Sequence, residues 1–502
     1  MATRPDVDPS LKLTREDKSF FGHPRGLSTL FFTEMWERFS YYGMRAILIL
    51  YLTASTSTGG LGFPVAKAGA VYGFYTAMVY LLTLPGGWVA DRIVGQRRAV
   101  LYGGILIAAG EFCLVSPSIQ LFYVGLVLLM FGTGLLKANV STIVGQIYAP
   151  DDIRRDSGFS IFYMGINIGA LISPLICGWV GERYSWRWGF GIAGLGMLVG
   201  VIQYLLGGKN LGSAGLHPAV PENPEADRRQ KRNAGIVAAA AVAILAVLVA
   251  MGANGTIEFT PELISNALGI SLIAISAGVF AWLLLGPGWS SVERKRFGAI
   301  LVLFLASAVF WSAYEQAGSS LNLFADRSTN RNVFGFEFPA SWFQFVQPMI
   351  LIILAPMFAW LWIAMRKHEP SSPTKFTFGL LFVGLGFALL VPAAKMTAAG
   401  ALVSPWWLTG TYFLHTVGEL CLSPVGLSAM TKLAPVRIAG LMMGLFFVSI
   451  SIGDYLAGKA ASVYESMPLP TLFGSVALFA FGAAVVSGLL IRPTVRLMSG
   501  VK

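Results

Sequence analysis

Glu34-Met35-Trp36-Glu37-Arg38-Phe39-Ser40-Tyr41-Tyr42-Gly43-Met44-Arg45 decides how this chain is read. The stretch sits inside an otherwise apolar segment from about Leu27 to Leu52. At helical spacing Glu34, Glu37, Arg38, Tyr41, Tyr42 and Arg45 are linked by i,i+3 and i,i+4 steps and share one face. Phe32, Met35, Trp36, Phe39 and Ala46 form the other, which suits lipid or neighbouring helices. A charge in the bilayer interior costs at least ~2.5–3.5 kcal/mol, so such groups face a water-filled cavity or a partner. The bland alternative is an ion-pair cluster that only staples helices together. Four ionisable groups on one membrane helix favour function, because intramembrane charges mark pathways and sites.

Composition agrees with a membrane setting. The chain has 502 residues, 55% hydrophobic and only 12% charged, where a soluble domain is about 25% charged. Apolar spans start near 27, 67, 99, 119, 157 and 187, then run at about 233–252 and 264–286, then start near 297, 338, 376, 404, 437 and 468. That predicts an all-α polytopic protein with fourteen transmembrane helices, read as six, two and six. A β-barrel would show short alternating segments instead. The polar first two dozen residues are expected to carry no cleaved secretory signal. Cys113, Cys177 and Cys421 lie in apolar spans and suggest no disulfide framework.

Orientation follows from lysine and arginine. One set of alternate connections holds only Lys67, Arg183, Arg187, Arg327, Arg331, Lys395 and Lys459 of the 36 basic residues. Arg38, Arg45 and Lys137 lie mid-span, and the rest fall on the other side, which puts both termini in the cytoplasm. The net charge of +11 therefore reflects topology, not nucleic-acid binding. The expected divisions are a cytoplasmic segment 1–26, a six-helix bundle 27–206, a linker 207–232 with Pro218, Pro221 and Pro224, an inserted hairpin 233–286, a second six-helix bundle 287–492 and a tail 493–502.

Gly87-Trp88-Val89-Ala90-Asp91-Arg92-Ile93-Val94-Gly95-Gln96-Arg97-Arg98 resembles the loop motif of the major facilitator superfamily, with one residue inserted before Gly95. Its Asp and Arg residues suit pairing with a neighbouring helix end. Glu34-x-x-Glu37-Arg38-Phe39-x-Tyr41-Tyr42-Gly43 then resembles the helix-one signature of the proton-dependent oligopeptide transporter family. The stretch Phe159–Ala170 followed by Pro174, and the run around Trp342-Phe343-Gln344 and Pro348, agree. The resemblance covers nearly the whole chain. Charge and spacing alone imply only a polar, zwitterion-friendly cavity.

A helix rises ~1.5 Å per residue, which places Glu37, Arg38, Lys137 and Glu419 at depths of ~15, ~16, ~18 and ~20 Å from the cytoplasmic face. Tyr80, Asn167 and Trp311 fall in that layer, whereas Arg45 and Glu315 both reach ~27 Å. The resemblance implies that Arg38 and Lys137 form a positive wall on the N-terminal half and Glu419 a negative wall on the C-terminal half. A dipeptide would be oriented between them. Tyr41, Tyr42, Tyr80, Asn167 and Ser423 would bind its backbone, with Trp311 as a pocket wall. Glu34, Glu37, Arg38 and Lys137 would couple protons, and Arg45 with Glu315 would form an outer gate.

The resemblance implies a proton-coupled symporter importing di- and tripeptides across the inner cell membrane by alternating access. No cofactor is implied beyond the proton as coupling ion, nor any metal or catalytic residue. Peptides, protons and the lipid bilayer are its expected partners, nucleic acid is not, and a monomer is expected to suffice. The departures are Gln347 where the family usually has Asn, Phe446 where it often has Trp, and no histidine on the second span. Glu111 and His415 read as structural, and Asp454 has no assigned role. The rival substrate is nitrate or another small solute. An integral-membrane enzyme is disfavoured because the four histidines are scattered, and a primary pump because no phosphate-binding loop motif occurs.

Overall fold

A computed structural model of the chain describes residues 17–149, 151–218, 223–256 and 258–501. Arg4, Lys12, Arg15 and Lys502, counted among the basic residues that set the orientation, and Pro221 of the linker lie outside them. The long helices are α1 (Arg25–Thr53), α2 (Val65–Leu81), α3 (Gln96–Val115), α4 (Ile119–Gln146), α5 (Arg155–Arg183), α6 (Trp186–Gly207), α7 (Pro224–Ala253) and α8 (Pro261–Leu285). They continue with α9 (Ser291–Tyr314), α10 (Val346–Met365), α11 (Ser372–Ala398), α12 (Trp406–Leu433), α13 (Ala439–Ser462) and α14 (Leu469–Leu489). Among the described residues, 11 helical segments are long and apolar enough to cross a membrane. α1 has the length, at 29 residues, but carries the charged stripe.

In the N-terminal half α1 packs on α5 and α6, and α3 packs on α4 and α6. Gly169 allows the α1–α5 crossing: a Cβ there would collide with the Met35 carbonyl and press on Arg38. In the C-terminal half α11 packs on α12 and α14, and α9 on α13. Phe310, Phe376, Phe387 and Phe446 fill that interior. The halves meet where α2 crosses α13. A Cβ on Gly73 would lie 2.7 Å from the Gly458 Cα, so glycine alone permits this approach.

The hairpin helix α8 lies against α2, α9 and α13. The Tyr455 hydroxyl donates to Asn266 at 3.4 Å, and Phe280 packs edge-on against Phe304. α7 opens at Pro224, inside the stretch read as linker. The reason is local: the Asn223 side chain accepts the amides of Glu225 and Ala226 at 3.0 and 3.1 Å, and proline fits the first helical position. Asp227 on this first turn pairs with Arg92 and Lys231, each at 2.9 Å. The loop motif thereby holds the hairpin, while Asp91 accepts a bond from Gln96 at 2.8 Å.

α9 ends in a tight turn, Glu315–Gly318, before a short helix Ser320–Ser328. A two-stranded hairpin follows, Asn332–Val333 against Phe336–Glu337. Its turn residues Phe334 and Gly335 both have positive φ, 53° and 84°, the signature of a type I′ turn. Pro174 lies inside α5 and Pro424 inside α12.

Candidate functional site

The stripe on α1 becomes a buried charge network. Arg38 donates to Glu37 and stands 3.3 Å from Glu34. All three are buried, Arg38 being 3% exposed. One guanidinium between two carboxylates is what a low-dielectric layer requires, since a lone buried charge costs several kcal/mol. The guanidinium also lies over the Tyr41 and Tyr42 rings, 5.2 and 6.0 Å from their centroids. Lys137 reaches the same layer from α4, with its ammonium 3.6 Å from the centre of the Tyr80 ring.

Of these groups Glu34, Arg38, Tyr42, Tyr80 and Lys137 border a central cavity of about 240 Å³ between the halves. Glu34, Arg38, Tyr42, Arg45, Tyr80, Lys137 and Asn167 line it from the N-terminal half, and Trp311, Glu315, Gln347, Glu419 and Ser423 from the C-terminal half. Drug-sized pockets run ~300–1,000 Å³, so this one suits a small polar solute. Glu419 accepts a bond from the Tyr314 hydroxyl. The Gln347 amide nitrogen and the Trp311 indole nitrogen have no hydrogen-bond partner. Asn167 donates to the Tyr163 carbonyl at 2.9 Å, which directs its amide.

Two predicted residues stand apart from the cavity wall. Glu37 lies behind Arg38. Tyr41 does not line the cavity, contrary to its expected role in holding substrate. Adjacent helix positions point about 100° apart, and Tyr42 takes the cavity side while Tyr41 is 3% exposed with an unpartnered hydroxyl. Tyr163 and Tyr314 line the cavity without an expected role, as does Gln344 of the Trp342-Phe343-Gln344 run. Tyr163 lies within the quoted Phe159–Ala170 stretch and Tyr314 beside Glu315, so both carried a signal.

The end of the cavity where α1 finishes is shut. Arg45 pairs with Glu315 across the halves and donates to the Tyr72 hydroxyl at 2.7 Å. Asn322 donates to the Ala46 carbonyl at 2.7 Å. Glu182 on α5 accepts the amides of Ala340 and Ser341 at 2.8 and 2.9 Å. Trp342 donates to the Leu175 carbonyl at 3.1 Å.

Two helical bundles with the cations on one wall of a shared central cavity and Glu315 and Glu419 on the other have the build of a membrane transporter of the major facilitator class. No group of three or more His, Cys, Asp or Glu residues poised for a metal occurs among the described residues. A sequence model of the POT family matches residues 97–474. The chain is 42% identical to the peptide transporter YePEPT of Yersinia enterocolitica over 495 residues, 96% of each chain. It is 36% identical to a di-/tripeptide transporter of Lactococcus lactis subsp. cremoris, covering 98% of this chain and 99% of that one. A crystal structure of a peptide transporter, POT, in complex with sulfate superposes with a TM-score of 0.93 at 42% identity, covering 99% of this chain and all of the other. The chain belongs to the POT family, the proton-dependent oligopeptide transporters.

Proposed function

We propose that this protein is a proton-coupled symporter that imports di- and tripeptides by alternating access. The observation that carries the reading is the division of charge across one cavity: Arg38 and Lys137 on one wall, Glu419 on the other. A short peptide carries a carboxylate and an ammonium group a few ångströms apart. Each end thus meets its opposite charge on a different half, so binding favours closure around the peptide. Its relatives named as peptide and di-/tripeptide transporters support the substrate class.

The Glu34–Glu37–Arg38 network, with Lys137 nearby, is the proton-handling group in this reading, and Arg45–Glu315 the outer gate. The charge skew of the connections supports an inner-membrane protein with both termini cytoplasmic. The two bundles at 27–206 and 287–492 rock about the cavity, and the hairpin is an accessory element. A single chain holds every group the cycle uses, which supports a working monomer.

Purified protein in proteoliposomes, with an acidic exterior and a panel of peptides, tests the reading. Accumulation of dialanine above equilibrium, abolished by a protonophore, is the expected result. Equilibration without accumulation would remove the coupling, and nitrate uptake without peptide uptake would replace the substrate.

A further inference from the structure

Asp454 lies on α13 near its crossing with α2 and is 1% exposed. Neither carboxylate oxygen has a hydrogen-bond partner. Its neighbour Thr76, itself fully buried, has already committed its proton to the Tyr72 carbonyl at 3.0 Å. A hydroxyl has one proton to give but two lone pairs. With its proton on that carbonyl, Thr76 presents an acceptor to Asp454.

The ionisable groups acting on Asp454 come from several elements: Tyr41 and Arg45 on α1, Tyr72 and Tyr80 on α2, Lys137 on α4 and Glu315 at the end of α9. Arg45 is engaged by Glu315 and Tyr72, and Lys137 sits over Tyr80. Asp454 forms no ion pair with either. A carboxylate buried without a donor or a cation takes up a proton rather than bear the desolvation cost. As an acid it has one proton to give, and the Thr76 oxygen is beside it.

This seam must part when the cavity opens at the end that is now shut, because the Gly73–Gly458 contact lies in it. We propose that Asp454 is a second proton carrier, on the half opposite Glu34 and Glu37. It is protonated whenever α2 and α13 are in contact, and it ionises when their separation admits water. The inference rests on the alternating-access symport reading above. It adds a stated step: outer closure requires a proton on Asp454, so an acidic exterior drives closure. A conformational equilibrium linked to one proton changes by up to about tenfold per pH unit.

The test reads conformation, not transport. Spin labels are placed on cysteines at Thr58 and Ser466, exposed positions on the two halves at the shut end, with half-buried Cys113 changed to serine. Distances are measured in nanodiscs from pH 5 to 9 without peptide. In the parent the long-distance population should grow with pH by up to tenfold per unit. Asp454→Asn, which copies the protonated shape, should stay short at every pH, and Asp454→Glu should keep a response with a shifted midpoint. Thr76→Val removes the acceptor and should move the parental midpoint to lower pH.

A pH-independent parent overturns the proposal, as does Asp454→Asn responding like the parent. Should Asp454→Asn fail to fold, an unmoved midpoint in Thr76→Val overturns it instead. Uptake by the same parent separates the two readings. Accumulation with flat distances removes Asp454 alone, and responsive distances without accumulation remove the symport.

Discussion

Glu419 is held by one side-chain donor, the Tyr314 hydroxyl, and otherwise faces a cavity whose cations all stand on the opposite wall. Its charge is therefore available to a substrate ammonium. Glu419→Gln should weaken binding of dipeptides with a free amino end by roughly ten- to hundredfold, the equivalent of a charge-assisted bond worth ~1.5–3 kcal/mol. Titration calorimetry checks this, and N-acetylated dipeptides should bind the parent as poorly. Equal affinity for free and acetylated peptides would refute the assignment. Arg45→Ala leaves Glu315 buried and unpaired, a loss of about 3–5 kcal/mol for a broken buried pair. Uptake should be crippled and partly restored by Arg45→Glu with Glu315→Arg. At this scale the ionisable cavity residues were legible because charge in an apolar span has few explanations. Tyr41 was misplaced because two adjacent tyrosines give no sign of which faces the cavity; rotation by one residue decides it. Tyr314 was passed over because an aromatic in an apolar span reads as packing.

The elements that join the halves are as informative as the cavity. Gly73→Leu should prop α2 away from Gly458 and abolish uptake, with the Thr58–Ser466 separation shifted to longer distances. An unchanged distance would show that the crossing is not a contact the cycle must make. At the start of α1, away from the shut end, His23 is buried and its ring nitrogen lies 2.9 Å from the Tyr148 hydroxyl. Burial, with Arg154 nearby, holds its imidazole below the ordinary histidine value. The folded state then binds this proton less readily than the unfolded chain. Its contribution to stability is present above about pH 6.5 and is lost as pH falls through the folded value. Thermal unfolding in detergent should show a decline below that pH that is smaller in His23→Gln; identical profiles would contradict it. The long apolar helices could be read from hydropathy alone. The start of α7 at Pro224 could not, because capping by Asn223 extends a helix into charged sequence with no apolar signal. Nor could the strand pair at 332–337, whose four residues are too few for a period.

For the whole molecule, the question is whether the α1 network loads protons or only binds charge to charge. Glu37 is behind Arg38 and away from the cavity wall, so Glu37→Gln should leave the binding walls intact. Uptake driven by an inward pH gradient should fall to background, while peptide-for-peptide counterflow should continue at a measurable rate. Normal gradient-driven accumulation would reduce the network to structural ion pairing. The helical membrane architecture was legible because long apolar segments recur along the chain. Of the shut end only the Arg45–Glu315 pair was legible; Glu182 reaching Ala340 and Ser341 joins residues far apart in sequence without any local pattern.

The charged layer at mid-membrane also has an electrical side. A zwitterionic peptide brings no net charge, and the walls that receive it travel with the protein. In the proposed symport, any current that accompanies uptake is therefore the current of the protons taken up with the peptide. A potential, negative inside, assists each elementary charge by about 2.3 kcal/mol per 100 mV. A potassium diffusion potential imposed by valinomycin should concentrate dipeptide inside vesicles even at equal pH, and reversing its sign should expel it.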